Sequence, residues 1–318
     1  PARGGGNELG LCVSDATRGY LGATEPDSER RCGWELAHAL IRKAFVKRSL
    51  LYQVGGEEGV DFETLVEEIQ LAEELGVDTA WCFPAVADDG SFKGTAPEIW
   101  LAGIAARTER IRIGWGLGEL LPPSFPPMRT AEQGAVLDVA SEGRLEVALL
   151  PGDGLSSELP SEVWQEGYRM LVEMWDGPTF SWTSERFEVR PVDVVPKPVQ
   201  QPHPALCLAG WTAEHATLAG RGGLGFVDLS GAESDVIELH RDAYAESRAE
   251  SQPEDLVSID RFAAAADLEP GEGGAQQLRA WEELGIDEAI VRVGPLARGH
   301  AEAVERIRFL TSAATELH

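Results

Sequence analysis

From residue 49 to the end of the chain, short apolar runs alternate with segments whose apolar residues recur every three or four positions. The run 50–54 predicts a strand. Asp61 then stands where a helix needs a cap. Phe62, Leu65, Val66, Ile69, Ala72 and Leu75 share one helical face, and Gly76 supplies the stop. A strand over 79–83 follows at once. The unit recurs as helix 97–108 with strand 111–117, and as helix 129–140 with strand 145–150. A longer stretch carries helix 161–175, a hairpin-like alternation over 180–189, and an extended connector, 191–204, with five prolines. Strand 205–209, helix 212–221, strand 224–229 and helix 233–249 come next. Strand 257–263, helix 275–284, strand 288–293 and helix 301–314 close the series.

Strict alternation of strand and helix implies a parallel sheet, and eight repeats imply closure into a (β/α)8 TIM barrel. The rival is a doubly wound open sheet, which announces itself with a glycine-rich turn after its first strand. Gly55-Gly56 followed by Glu57-Glu58 is no such fingerprint. Residues 1–48 stand outside the repeat. They read as an N-terminal extension, an arm or partly disordered tail, with an amphipathic segment over 34–47. The organisation expected is therefore an extension, 1–48, and one barrel domain, 49–318.

Charge narrows the choice of partner. The chain carries 54 acidic against 27 basic side chains, a net of -27. A field of that sign repels phosphate backbones and anionic membranes, which argues against nucleic acid and membrane as partners. No apolar run reaches the ~18 residues of a membrane span, and the start of the chain lacks a secretory pattern, so a cytoplasmic protein is expected. Cys12, Cys32, Cys82 and Cys207 show no CxxC spacing, and Cys82 and Cys207 lie in apolar strand-like runs. No metal site is expected.

Active sites of such barrels lie beyond the C-terminal ends of the strands. The candidates for lining a pocket there are Gln53, Phe83, Trp115, Glu119, Asp153 and Asp228, with further positions near Ala263 and Val293. No Ser/His/Asp or Cys/His set emerges. The six histidines all fall away from the expected strand ends, and each reads as a surface or helix residue.

Several stretches resemble the bacterial-luciferase-like flavin monooxygenase family. They are TAPEIWL running into AGIAARTERIRIG, then RTAEQGAVLDVASEGRLEV, WQEGYRMLVEMW, VVPKPVQQPHPALCLAG and the closing AWEELGIDEAIVRV. Together they cover about residues 49–229 and 274–314. The resemblance implies a (β/α)8 protein, often dimeric, that binds reduced FMN and oxidises a small organic substrate with oxygen. A related branch uses the deazaflavin F420.

Carried over residue by residue, the resemblance implies a degenerate flavin site. Family members carry Glu-His-His after the second strand, where this chain has Pro84, Ala85 and Val86; the family's catalytic histidine position is Ala85. The arginine that meets the flavin phosphate after the fourth strand is replaced by Pro151. The serine and threonine that hold that phosphate after the fifth strand correspond to Trp211 and Glu214, or to Thr212 if the register slips by one. Proline offers neither donor nor charge to a phosphate dianion. A carboxylate facing it at 4 Å would cost roughly 4 kcal/mol at an effective dielectric of about 20.

The leading expectation is a non-catalytic or flavin-poor partner subunit of a two-component flavin-dependent monooxygenase, as a homodimer or a heterodimer with a luciferase-like paralogue. The second is an active FMN- or F420-dependent oxidoreductase with a rearranged pocket, served by a flavin reductase. The third is a flavin-independent barrel that binds a small molecule.

Overall fold

The computed structural model describes residues 47–54, 61–85, 96–117, 127–150, 161–250, 260–295 and 299–316. Residues 1–46 of the expected extension, with Cys12 and Cys32, lie outside them, as do Glu119, Pro151 and Asp153. In chain order the elements are β1 (Lys47–Val54), α1 (Phe62–Glu74), β2 (Thr79–Pro84), α2 (Pro97–Ala105), β3 (Arg112–Leu117), α3 (Pro127–Ala140), β4 (Leu145–Leu149), α4 (Ser161–Asp176), β5 (Phe180–Thr183), β6 (Glu188–Val192), β7 (Ala205–Gly210), α5 (Ala213–Gly222), β8 (Gly225–Asp228), α6 (Ser234–Glu250), β9 (Phe262–Ala266), α7 (Glu272–Glu283), β10 (Glu288–Pro295) and α8 (His300–Glu316).

Eight parallel strands close into a barrel in the order β1-β10-β9-β8-β7-β4-β3-β2. β5 and β6 form the antiparallel hairpin inserted after α4. The expected architecture is thus the one observed, with shifted ends. β1 begins at Lys47, because Lys47 and Arg48 pair with Glu288 and Ala289 although both are charged. β9 is Phe262–Ala266 rather than 257–263. Its alanines carry little of the β-branched signal that drew the expected strand upstream, toward Val257 and Ile259.

Local chemistry sets the helix ends. Asp61 accepts from the Thr64 amide at 3.2 Å and its hydroxyl at 2.6 Å, as its place before α1 implied. Asp138, buried in α3, accepts from the Val199 amide at 2.7 Å, the Gln200 amide at 2.9 Å and Gln200 Nε2 at 2.6 Å, which pins the proline-rich connector to the barrel.

Alternation along the strands divides the apolar residues into two sets. Leu50, Tyr52, Ile113, Trp115, Val147, Leu208, Phe226 and Val291 face the helices. Leu51, Trp81, Phe83, Ala148, Leu150, Cys207, Ala209, Val227, Ala263, Ala265 and Ile290 fill the interior. The interior is tightly filled because two glycines on β3 yield to aromatic rings. A Cβ on Gly114 would lie 2.3 Å from Trp81, and one on Gly116 would lie 2.4 Å from Phe83.

Candidate functional site at the barrel mouth

At the N-terminal end of the strands the interior is closed by charge. Arg261 is buried, with Nη1 2.7 Å from Glu146 and 3.2 Å from Glu288. Arg112 Nε donates to Glu146 at 2.5 Å, and Lys47 stands 3.5 Å away. Trp81 donates its indole N–H to Glu288 at 3.1 Å. Burial pushes the Glu146 carboxyl up, but Arg261, Lys47 and Arg112 outweigh that and hold it at about 2. This floor is an ion network at the end of the barrel opposite to where active sites lie, which gives it a structural role.

The opposite end, where barrels of this kind place their active sites, is the candidate site. Continuing each strand's alternation upward puts Gln53, Phe83, Leu150, Ala209, Trp211, Leu229, Asp267 and Arg292 on the interior side. Gln53 pairs in register with Phe83, and Leu51 with Arg292. Trp211 and Leu229 pack on the interior apolar set. The mouth is therefore an aromatic and aliphatic wall with an amide on one side and a guanidinium on the other.

The sequence-predicted residues fare unequally. Gln53 and Phe83 reach the mouth, and Ala85, half-buried, follows Pro84 at the end of β2. Trp115 does not line it. Its ring packs on the helix-facing side, within 3.5 Å of where a Gly134 Cβ would stand, because the odd positions of β3 at 113, 115 and 117 all face outward. Asp228 does not line it either. It is fully buried on the outer side of β8, where Oδ2 meets His240 Nδ1 at 2.6 Å and Oδ1 accepts from the Ser230 amide at 2.8 Å and hydroxyl at 2.6 Å. Ala263 belongs to the lower half of the interior, opposite Glu288, so β9 contributes Asp267 to the mouth instead.

The turn from β7 into α5 holds the remaining expected positions. Thr212 is the N-cap of α5, its hydroxyl accepting from the His215 amide at 3.2 Å. His215 packs over Gly210 and stands edge-on to Trp211, ring centroids 4.9 Å apart. Burial lowers the His215 pKa; Glu214 opposes that shift and His240 adds to it, so the ring is neutral near pH 7. Glu214 is exposed in the first helical turn, where a carboxylate complements the helix dipole. Its repulsion of an anion at the turn is screened by water, and falls from the expected ~4 to about 1 kcal/mol at 4 Å.

At the positions the resemblance assigns to the flavin, 211 presents an indole on the interior side, 212 the threonine that caps α5, 214 an exposed carboxylate, and 84 and 85 a pyrrolidine ring and a methyl group. Two participants escaped the sequence reading. His215 sits one helical turn past a strand end, and Arg292 lies on the interior phase of Ile290–Val293, a signal present in the alternation itself. Among the described residues no cluster of His, Cys, Asp or Glu could hold a metal ion, and no helix is long and apolar enough to cross a membrane.

Comparison with known proteins agrees with this architecture. A family model described as luciferase-like monooxygenase matches residues 46–269. The oxygenase component of a flavin-dependent trigonelline monooxygenase from Acinetobacter baylyi is 24% identical over 159 residues, 46% of this chain and 43% of that protein. An F420-dependent glucose-6-phosphate dehydrogenase from Gordonia bronchialis is 26% identical over 301 residues, 80% of this chain and 86% of that one. An uncharacterized protein, y4wF, from Sinorhizobium fredii is 29% identical over 139 residues. The chain spans only 40% and 43% of the length of the Sinorhizobium and Acinetobacter relatives. Among solved structures, monooxygenase RslO1 from Streptomyces bottropensis superposes with a TM-score of 0.63 at 19% identity, over 85% of this chain and 99% of that one. That likeness establishes the fold.

Proposed function

Because the chain belongs to the luciferase-like monooxygenase family, we propose that it is a flavin-poor subunit of a two-component flavin-dependent monooxygenase, holding a small organic molecule in the barrel mouth. The observation that carries this reading is the Trp211 indole, packed on the interior apolar set at the place where the resemblance expects a phosphate-binding serine. An apolar wall with a few polar groups suits an organic ligand, and suits a dianion poorly.

A partner is supported by the outer face of α3. Met128, Val136 and Val139 share one side of that helix and are 39, 52 and 44% exposed, with Ile99 of α2 at 67%. Apolar side chains left exposed on neighbouring helices would suit an association surface. A relative that is itself an oxygenase component supports a flavin reductase as the accompanying activity.

Two measurements on the full chain test the reading. Fluorescence titration with FMN, reduced FMN and F420 is expected to give Kd values weaker than about 100 μM, whereas micromolar affinity, worth about 8 kcal/mol, would overturn it. Light scattering is expected to show a dimer, alone or with a co-expressed paralogue, and Val136→Glu should dissociate it. A monomer under both conditions would remove the partner role.

A further inference from the structure

Arg292 is a cation inside the mouth of a chain whose net charge is -27. Its partners in register, Leu51 on β1 and, two residues below, Ala265 opposite Ile290, are both interior residues, so its side chain rises through the barrel's own column. One Nη donates to the Leu229 carbonyl at the end of β8. The other faces Asp267 at 3.5 Å, longer than a hydrogen bond, and Asp267 is also 3.8 Å from Arg306. Arg292 is about one quarter exposed. Gly231 hugs the guanidinium: a Cβ there would lie 3.2 Å from Nη1.

These contacts fix one corner of the fork at the Leu229 carbonyl, while its carboxylate partner, 45% exposed, is shared with Arg306. A bidentate anion makes two short charge-assisted bonds to a guanidinium and so competes with the 3.5 Å contact between Arg292 and Asp267. Phe83, Trp211 and Leu229 then meet the apolar remainder of the molecule. We infer that the mouth selects small organic anions, a carboxylate, sulfonate or phosphate on an apolar body, and that Arg292 is the residue that reads the charge. The inference rests on the proposed ligand-holding role of this same mouth and names its ligand class.

Matched six-carbon probes test it: hexanoate, hexanesulfonate and hexyl phosphate against hexanol and hexanamide, by calorimetry on the full chain at constant ionic strength. At least one anion should bind about tenfold tighter than both neutral probes, since only it gains charged hydrogen bonds. Arg292→Met should abolish that preference while leaving neutral binding within about twofold, and Arg292→Lys should restore part of it. Asp267→Asn, which removes the competing carboxylate and keeps the arginine, should tighten the anion; this arm stands even if Arg292→Met is poorly folded. Equal binding of anions and neutrals, or a preference that survives Arg292→Met, would overturn the inference and leave the ligand-holding reading intact. Failure of every probe to bind, with micromolar FMN affinity, would instead sink the reading beneath it.

Discussion

Replacing Glu146 by Gln isolates the largest single electrostatic feature of the fold. The floor holds Lys47, Arg112 and Arg261 against Glu146 and Glu288, a net of +1 that the substitution raises to +2. Breaking a buried pair costs about 3–5 kcal/mol when the remaining charge has no other partner. Here Arg261 keeps Glu288 at 3.2 Å, and Lys47 and Arg112 reach water, so a loss of about 2–4 kcal/mol is expected. For a domain of this size that lowers Tm by roughly 4–12 °C. The pH dependence gives an independent arm. The folded carboxyl is held at about 2, below its ordinary 4.5, so its contribution is complete above pH 4.5 and disappears as pH falls toward 2. A shift of that size corresponds to about 3 kcal/mol across the window. Urea melts of both proteins at pH 7, 4, 3 and 2.5 should show curves well apart at neutral pH and converging in acid. Equal midpoints at pH 7, or a constant gap down to pH 2.5, would refute the assignment of this carboxylate as the keystone of the floor.

Two further substitutions probe packing and tethering. Gly114→Ala brings a Cβ to 2.3 Å from the Trp81 ring and disturbs its 3.1 Å bond to Glu288; overpacking and a weakened hydrogen bond together should cost about 2–4 kcal/mol, read as a lower thermal midpoint with altered near-ultraviolet dichroism of the indole. An unchanged midpoint would mean the ring relocates freely. Asp138→Ala removes three hydrogen bonds to Val199 and Gln200 and should expose the connector, seen as faster cleavage at Asp193 by a protease that cuts on the amino side of aspartate. Cleavage at the parental rate would show that the connector is held elsewhere.

The barrel was legible because its strands and helices carry different periods and the chain repeats them eight times. The errors share one physical origin. Which phase of a strand faces inward depends on closure with its neighbours, and in Arg112–Leu117 the large apolar phase, Ile113, Trp115 and Leu117, faces the helices while the glycine phase faces inward. Trp115 therefore read as a mouth residue, although the glycines on either side of it are the ones that admit Trp81 and Phe83 to the interior. Asp228 ends its strand as a mouth acid would, yet one residue of phase turns it toward His240. The ion network at the floor was invisible for another reason. Glu146, Arg261 and Glu288 lie 115 and 27 positions apart in sequence and meet only when β4, β9 and β10 close the ring.

The two interior arginines show why the same residue type does different work at the two ends of one barrel. Arg261 is 5% exposed and has two carboxylates within 3.2 Å, so a ligand there would have to expel a partner whose bare charge then stays buried. That cost exceeds what a small anion gains. Arg292 is 23% exposed, and its carboxylate stands 3.5 Å away and is itself 45% exposed, so Asp267 displaced from Arg292 stays in contact with water and with Arg306 at 3.8 Å. Exchange of partners is therefore confined to the C-terminal face, where the strands end and the helices begin. The capacity to bind an anion follows from the looseness of the existing pair rather than from the presence of a guanidinium. A stronger native pair at the mouth, made by Asp267→Glu if the longer carboxylate closes the gap, should accordingly weaken anion binding while raising stability, and a gain in both would contradict the exchange argument.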